Sequence, residues 1–268
     1  MEFVMYAKLS RLKMYYEEYG DSSQPPVVLL HGGMSGAQTW EQQIDPLSAQ
    51  YRVLIPEQQG HAHTSDVAEP LTYQAMANDT VEFIERVAGQ PAHVVGHSDG
   101  GILGLFIALQ RPDLLSRAVV IGANFHKDGL FWPALADADP DDEDFAKSRE
   151  RYAALSPEGE AHWPVIFGKT QQMWLTEPTL TRAEIATITA PVLVMVGDDD
   201  VISHSHSVEL YEALAEGQMA MIPGTSHGVK KEKPEIVNRL ILDFLADEVM
   251  PSALKSVRGP GLDSRQNV

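Results

Sequence analysis

Apolar residues gather along this chain in short continuous runs, separated by longer stretches of helical periodicity. Val27-Val28-Leu29-Leu30, Val94-Val95, Arg117-Ala118-Val119-Val120-Ile121-Gly122 and Pro191-Val192-Leu193-Val194-Met195-Val196-Gly197 are too uniformly apolar for strands with one face in water. Such runs suit strands covered on both faces, as in a parallel sheet. Residues 51–55 and 218–222 add two more strands. Residues 2–9 and 11–19 carry aromatic and β-branched residues in partial alternation and lead to the turn-forming Gly20-Asp21-Ser22-Ser23, which predicts two antiparallel strands at the start. Helical spacing predicts helices over about 38–49, 72–88, 205–216 and 233–248. The segment after Val95 is apolar almost all round, the mark of a central buried helix, and Arg111-Pro112 stops it. Strands alternating with helices make an α/β fold: a mostly parallel sheet of about eight strands flanked by helices.

One interval breaks the alternation. Residues 123–190 contain no strand-like run, yet they hold Trp132, Trp163 and Trp174 and an acidic patch from Asp137 to Asp144. A structureless loop of that length does not belong in a compact domain. The expectation is a small helical cap inserted before the seventh strand, with its best helices over 143–152 and 165–175. The chain then divides into a core of residues 1–122 and 186–250, a cap of residues 123–185, and a loose tail over 251–268.

Composition narrows the function. With 38 acidic against 20 basic residues, net charge −18, the chain lacks the clustered Lys and Arg that nucleic acid or an anionic membrane surface requires. It has no cysteine, which excludes thiolate nucleophiles, disulfides and Cys-ligated zinc. No leader-like or membrane-spanning run is present, so a soluble cytoplasmic protein acting on a small molecule is expected.

The candidate chemistry lies at strand ends. Gly96-His97-Ser98-Asp99-Gly100 fits G-x-S-x-G, a strand–turn–helix in which a strained serine faces the N-terminus of the following helix. A serine hydroxyl needs a base within reach, and that base needs a carboxylate to hold its tautomer. In open parallel sheets such groups collect at the carboxyl ends of strands. Gly197-Asp198-Asp199-Asp200 follows one apolar run, and Pro223-Gly224-Thr225-Ser226-His227-Gly228 follows the next.

The order serine, aspartate, histidine, together with His31-Gly32-Gly33, resembles the α/β-hydrolase superfamily over about residues 12–248, in its capped serine-hydrolase form. The resemblance implies Ser98 as nucleophile, His227 as base and Asp200 as its carboxylate partner, with Asp199 as the alternative. It also implies an oxyanion hole from the N–H of Asp99 and a second N–H from Gly33 or Met34. A carboxylate at Asp99, beside the reacting centre, opposes developing negative charge; its side chain must point away or be neutralised. Relatives often carry an Asp-x-Arg-Gly-like segment where this chain has Glu57-Gln58-Gln59-Gly60-His61.

The implied activity is acyl-enzyme hydrolysis of a small, mostly apolar ester or lactone, without a cofactor. Met34, Trp132, Trp163 and Trp174 are candidates for substrate contact, with Phe131 and Phe167 as further aromatics of the cap. The same triad serves C–C bond hydrolases and cofactor-free haloperoxidases, and the fold also serves non-catalytic binding proteins. His61-Ala62-His63 and His204-Ser205-His206 raise a metal-site alternative. The first pair lacks a further histidine, and in the second, at a helix start, positions i and i+2 diverge by about 200°.

Overall fold

The computed structural model describes residues 5–246. Eight strands form one sheet: β1 (Met5–Lys8), β2 (Lys13–Tyr19), β3 (Pro26–Leu30), β4 (Arg52–Pro56), β5 (Ala92–His97), β6 (Leu115–Ile121), β7 (Val192–Asp199) and β8 (Gly217–Ser226). Their spatial order is β1-β2-β4-β3-β5-β6-β7-β8. β1 and β2 pair antiparallel with their neighbours, and every pairing from β4 to β8 is parallel. The apolar runs are covered on both faces, as their composition requires. Val28, Leu30, Val94 and Val120 pack on one side of the sheet, and Val27, Leu29, Val95, Val119 and Ile121 on the other.

The first side is covered by α2 (Tyr73–Phe83) and α3 (Asp99–Gln110), the second by α1 (Glu41–Ser48) and α9 (Pro234–Leu245). Between β6 and β7 lie α4 (Ala146–Leu155), α5 (Trp163–Thr176) and the short α6 (Arg182–Ile185), while α7 (His204–Ala213) and α8 (Val229–Glu232) flank β8. No described helix is long and apolar enough to cross a membrane.

Element ends depart from the sequence reading where the ladder or a cap overrides the pattern. β8 continues to Ser226 despite Pro223 and Gly224, because it is an edge strand and the missing N–H interrupts no second ladder. The helix expected over 72–88 ends its regular part at Phe83, continues as a π turn over Ile84–Ala88 and stops at Gly89, whose φ is 70°. The tail expected over 251–268 lies outside the described residues.

Candidate active site

Parallel register aligns the carboxyl ends of five strands, since Leu30 pairs with Gly96, His97 with Ile121, Ile121 with Met195 and Gly197 with Ile222. The loops after β3, β5, β6, β7 and β8 therefore converge, and they carry His31–Met34, Ser98, Gly122, Asp200 and His227. A cavity of about 420 Å³ opens there, lined by Gly33, Ser98, Asp99, Trp132, Trp174 and His227 among others.

Ser98 sits between β5 and α3 with φ 55° and ψ −121°, a conformation that a side-chain-bearing residue holds only under strain. Its N–H donates to the Ile121 carbonyl at 2.8 Å, which anchors the turn to β6. The flanking glycines are a steric requirement. A Cβ on Gly96 would run into the Gly100 carbonyl, and one on Gly100 into the Leu30 carbonyl.

The His227 ring donates from Nδ1 to Asp200 Oδ1 at 2.7 Å, and the Asp200 side chain is fully buried. Burial works against the charged carboxylate of Asp200, but the His227 contact and the Ile202 and Gly197 N–H groups outweigh it and hold its pKa below the usual range. Asp199 is exposed, and Asp198 accepts the Thr225 N–H at 2.9 Å, so neither competes for the imidazole. Gly122, at φ 58°, packs against this pair; a Cβ there would lie 2.9 Å from both Nδ1 and Cε1 of His227.

Two further histidines support this geometry from behind. His97 Nε2 donates to the His227 carbonyl at 2.8 Å, and burial lowers its pKa well below normal, so the ring is a neutral strut. His31 Nε2 accepts the Gln58 N–H at 3.0 Å while Nδ1 donates to the Gly32 carbonyl at 2.8 Å. Burial holds its pKa at about 3, so it shapes the loop as a neutral ring.

Asp99 is buried and turned toward α2 and α5. It accepts the Tyr73 hydroxyl at 2.8 Å and the Trp174 Nε1–H at 2.9 and 3.1 Å. Burial raises its pKa, and the two donors partly offset that rise. The Asp99 side chain thus ties the segment between β6 and β7 to the turn at Ser98. His206, on α7, accepts the Phe125 N–H at 3.1 Å and so ties the start of the same segment to α7.

The candidate contact residues separate. Trp132 and Trp174 line the cavity with ring centroids 5.8 Å apart. Trp163 does not line it: the ring is 2% exposed, donates to the Pro140 carbonyl at 2.9 Å and packs on Tyr152 and Phe167. It belongs to the inner packing of its own segment, as does Phe167, while Phe131 is 70% exposed. Met34 and Trp163 both line a smaller adjoining cavity, and Gly33 lies against Asp99 and Trp174.

The H-x-H pairs diverge. His61 Nδ1 contacts the Gln59 carbonyl and His63 Nδ1 contacts Glu57, which also accepts the Ala37 N–H, while Arg11 donates to the Gln59 side chain. No group of three or more His, Asp or Glu able to hold a metal occurs among the described residues. Tyr73, Arg151 and Lys230 also line the cavity, and no motif in the sequence marks them. Lys230 is buried, bonds the Thr39 carbonyl and lies 4.3 Å from the Trp40 ring centroid; burial lowers its pKa to about 7.

Residues 27–240 match the model of the Alpha/beta hydrolase family. The chain belongs to that family. Among its relatives, the protein named putative carbamate hydrolase RutD from Agrobacterium fabrum is 27% identical, over 87% of this chain and 98% of the relative. The protein of the same name from Caulobacter sp. strain K31 is 29% identical, over 88% and 96%. Among solved structures, the enol-lactonase from Burkholderia xenovorans LB400 shares the fold with TM-score 0.74 at 21% identity, covering 91% of this chain and all of that one, 100%. Carboxylesterase CesB from Bacillus subtilis also reaches 0.74, at 24% identity and 93% of each chain.

Proposed function

We propose that this α/β hydrolase is a serine hydrolase that works through an acyl-enzyme, with Ser98 as nucleophile, His227 as base and Asp200 as its carboxylate. The observation that carries this reading is the 2.7 Å contact from His227 Nδ1 to the buried Asp200, in the cavity that also holds Ser98. An Nδ1–H held by a carboxylate leaves Nε2 as the basic nitrogen, the form a general base needs.

Ser98 Oγ adds to the substrate carbonyl carbon as its proton passes to His227 Nε2. The backbone N–H of Asp99, at the start of α3, and that of Gly33 or Met34 hold the oxyanion. Collapse breaks the bond to the leaving group, which takes the proton from His227. Water, deprotonated by His227, then adds to the acyl carbon and releases the acid and Ser98. The segment between β6 and β7 acts as a cap, and its Trp132 and Trp174 give the cavity an apolar wall. Esters and lactones fit this chemistry, and so does the carbamate that the RutD relatives' name specifies.

Asp200→Asn and Asp199→Asn separate the two candidate carboxylates. Asp200→Asn is expected to lower kcat by about 10⁴-fold, because an amide favours the wrong imidazole tautomer. Asp199→Asn, at an exposed position, is expected to change little. The reverse ranking moves the carboxylate role to Asp199.

A further inference from the structure

The cavity contains an arginine with nothing of opposite charge to hold it. Arg151, on α4, is half-buried and lines both the main cavity and the smaller one beside it. Among the described residues its side chain forms no ion pair and makes one hydrogen bond, a long contact to the Met34 carbonyl at 3.4 Å. In a chain with 38 acidic residues against 20 basic ones, a partner was easily available. A guanidinium offers five N–H donors in a planar fork matched to a carboxylate, and desolvating it without a partner is costly.

The cavity is also lined by Lys231, which is exposed and forms no ion pair with described residues, and by Lys230, which the Thr39 carbonyl and the Trp40 ring already hold. Its two carboxylates are already engaged: Asp99 holds Tyr73 and Trp174, and Glu177 accepts the Tyr73 N–H at 3.0 Å.

The sheet order assigns a direction. The loop after β3 and the loop after β8 flank β5 from opposite sides. His227, after β8, delivers the proton to the leaving group, so the leaving group lies on that side. Arg151 reaches Met34, after β3, on the side away from His227; the oxyanion and the acyl chain share that side, and of the two only the acyl chain can carry a further charged group.

We infer that Arg151 is a specificity residue that binds a carboxylate on the acyl part of the substrate, so that the enzyme acts on monoesters of short dicarboxylic acids or their close analogues. This rests on the serine-hydrolase reading of the same cavity. The acyl chain lies along Trp132 and Trp174, and its terminal carboxylate takes two N–H groups of the guanidinium.

The test compares monomethyl glutarate with methyl pentanoate, a neutral ester of equal acyl carbon number, in a pH-stat assay. Wild type is expected to favour monomethyl glutarate in kcat/KM by at least about tenfold, the effect of roughly 1.4 kcal/mol. Arg151→Met is expected to bring that ratio close to one, and Arg151→Lys to restore part of it. A wild-type ratio near one, or a ratio unmoved in Arg151→Met, overturns the proposal.

Binding of both esters to Ser98→Ala, followed by tryptophan fluorescence, separates this proposal from the chemistry. If wild type turns over neither ester but Ser98→Ala still prefers the anionic one through Arg151, the anion site stands and the acyl-enzyme reading fails. Equal binding of the two esters to Ser98→Ala removes the anion site whatever the turnover shows.

Discussion

The contact between Asp99 and Trp174 joins the turn at Ser98 to α5, and its strength is measurable. Trp174→Phe keeps the aromatic packing against Trp132 but removes the N–H that reaches both Asp99 oxygens at 2.9 and 3.1 Å. The buried carboxylate then keeps only the Tyr73 hydroxyl, at 2.8 Å, as a side-chain donor. A hydrogen bond to a charged group contributes about 1.5–3 kcal/mol, and a buried acceptor left short of donors loses that stabilisation without water to replace it. Trp174→Phe is therefore expected to destabilise the fold by about 2 kcal/mol in equilibrium urea unfolding. Asp99→Leu, close to aspartate in size, removes both acceptor oxygens, whereas Asp99→Asn would leave the one oxygen that already receives both Tyr73 and Trp174. In a double-mutant cycle of Trp174→Phe and Asp99→Leu, the coupling energy is expected at about 1.5–3 kcal/mol. A coupling below about 0.5 kcal/mol, the range in which independent sites add, refutes the idea that Asp99 holds the segment between β6 and β7 through Trp174.

Gly122→Ala brings a methyl group to within 2.9 Å of the His227 ring at a backbone φ of 58°. It is expected to cost more than about 1 kcal/mol of stability in denaturant titration and to lower kcat sharply by moving His227; wild-type kinetics contradict the assigned packing. Lys230 gives a pH signature. Its folded pKa of about 7 lies below the 10.5 of an unburied lysine, so between those values the unfolded chain binds more protons and stability rises with pH. The stabilising contribution is complete above the unfolded value and is lost as pH falls through the folded one. Wild type is expected to gain about 1–2 kcal/mol more than Lys230→Met between pH 7 and 9 in paired urea titrations; parallel curves count against a buried, pKa-shifted lysine.

Much of this arrangement was legible because it sits at strand ends. Val27–Leu30, Val94-Val95, Val119–Ile121 and Val192–Val196 read as doubly covered strands, and alternate residues do pack on opposite sides. Gly96 and Gly100 marked the tight turn at Ser98, and the residues after β7 and β8 pointed to Asp200 and His227 as neighbours. What failed to show depended on contacts between segments distant in sequence. Trp163 and Trp174 stand on one helix with similar aromatic surroundings in the sequence, yet one packs inward and the other reaches Asp99. Lys230 lies in Val229-Lys230-Lys231-Glu232, which reads as a charged surface turn; Trp40 and Thr39, far away in the chain, bury it. Arg151 falls among Lys147, Arg149 and Glu150 on a polar helix, and only the packing of α4 over the β3 loop sets it apart. The Asp99 carboxylate posed the right question, but its answer lay in Tyr73 and Trp174, neither of which is signalled by the motif.

Ser98 is proposed as the nucleophile of an acyl-transfer site. Reaction with a fluorophosphonate, followed by intact-protein and peptide mass analysis, tests it most directly. Wild type is expected to gain one phosphonyl group, located on the peptide containing Ser98, with loss of esterase turnover in proportion. Ser98→Ala, correctly folded by circular dichroism, is expected to gain none. Equal labelling of the two proteins, or an adduct on another residue, contradicts the assignment.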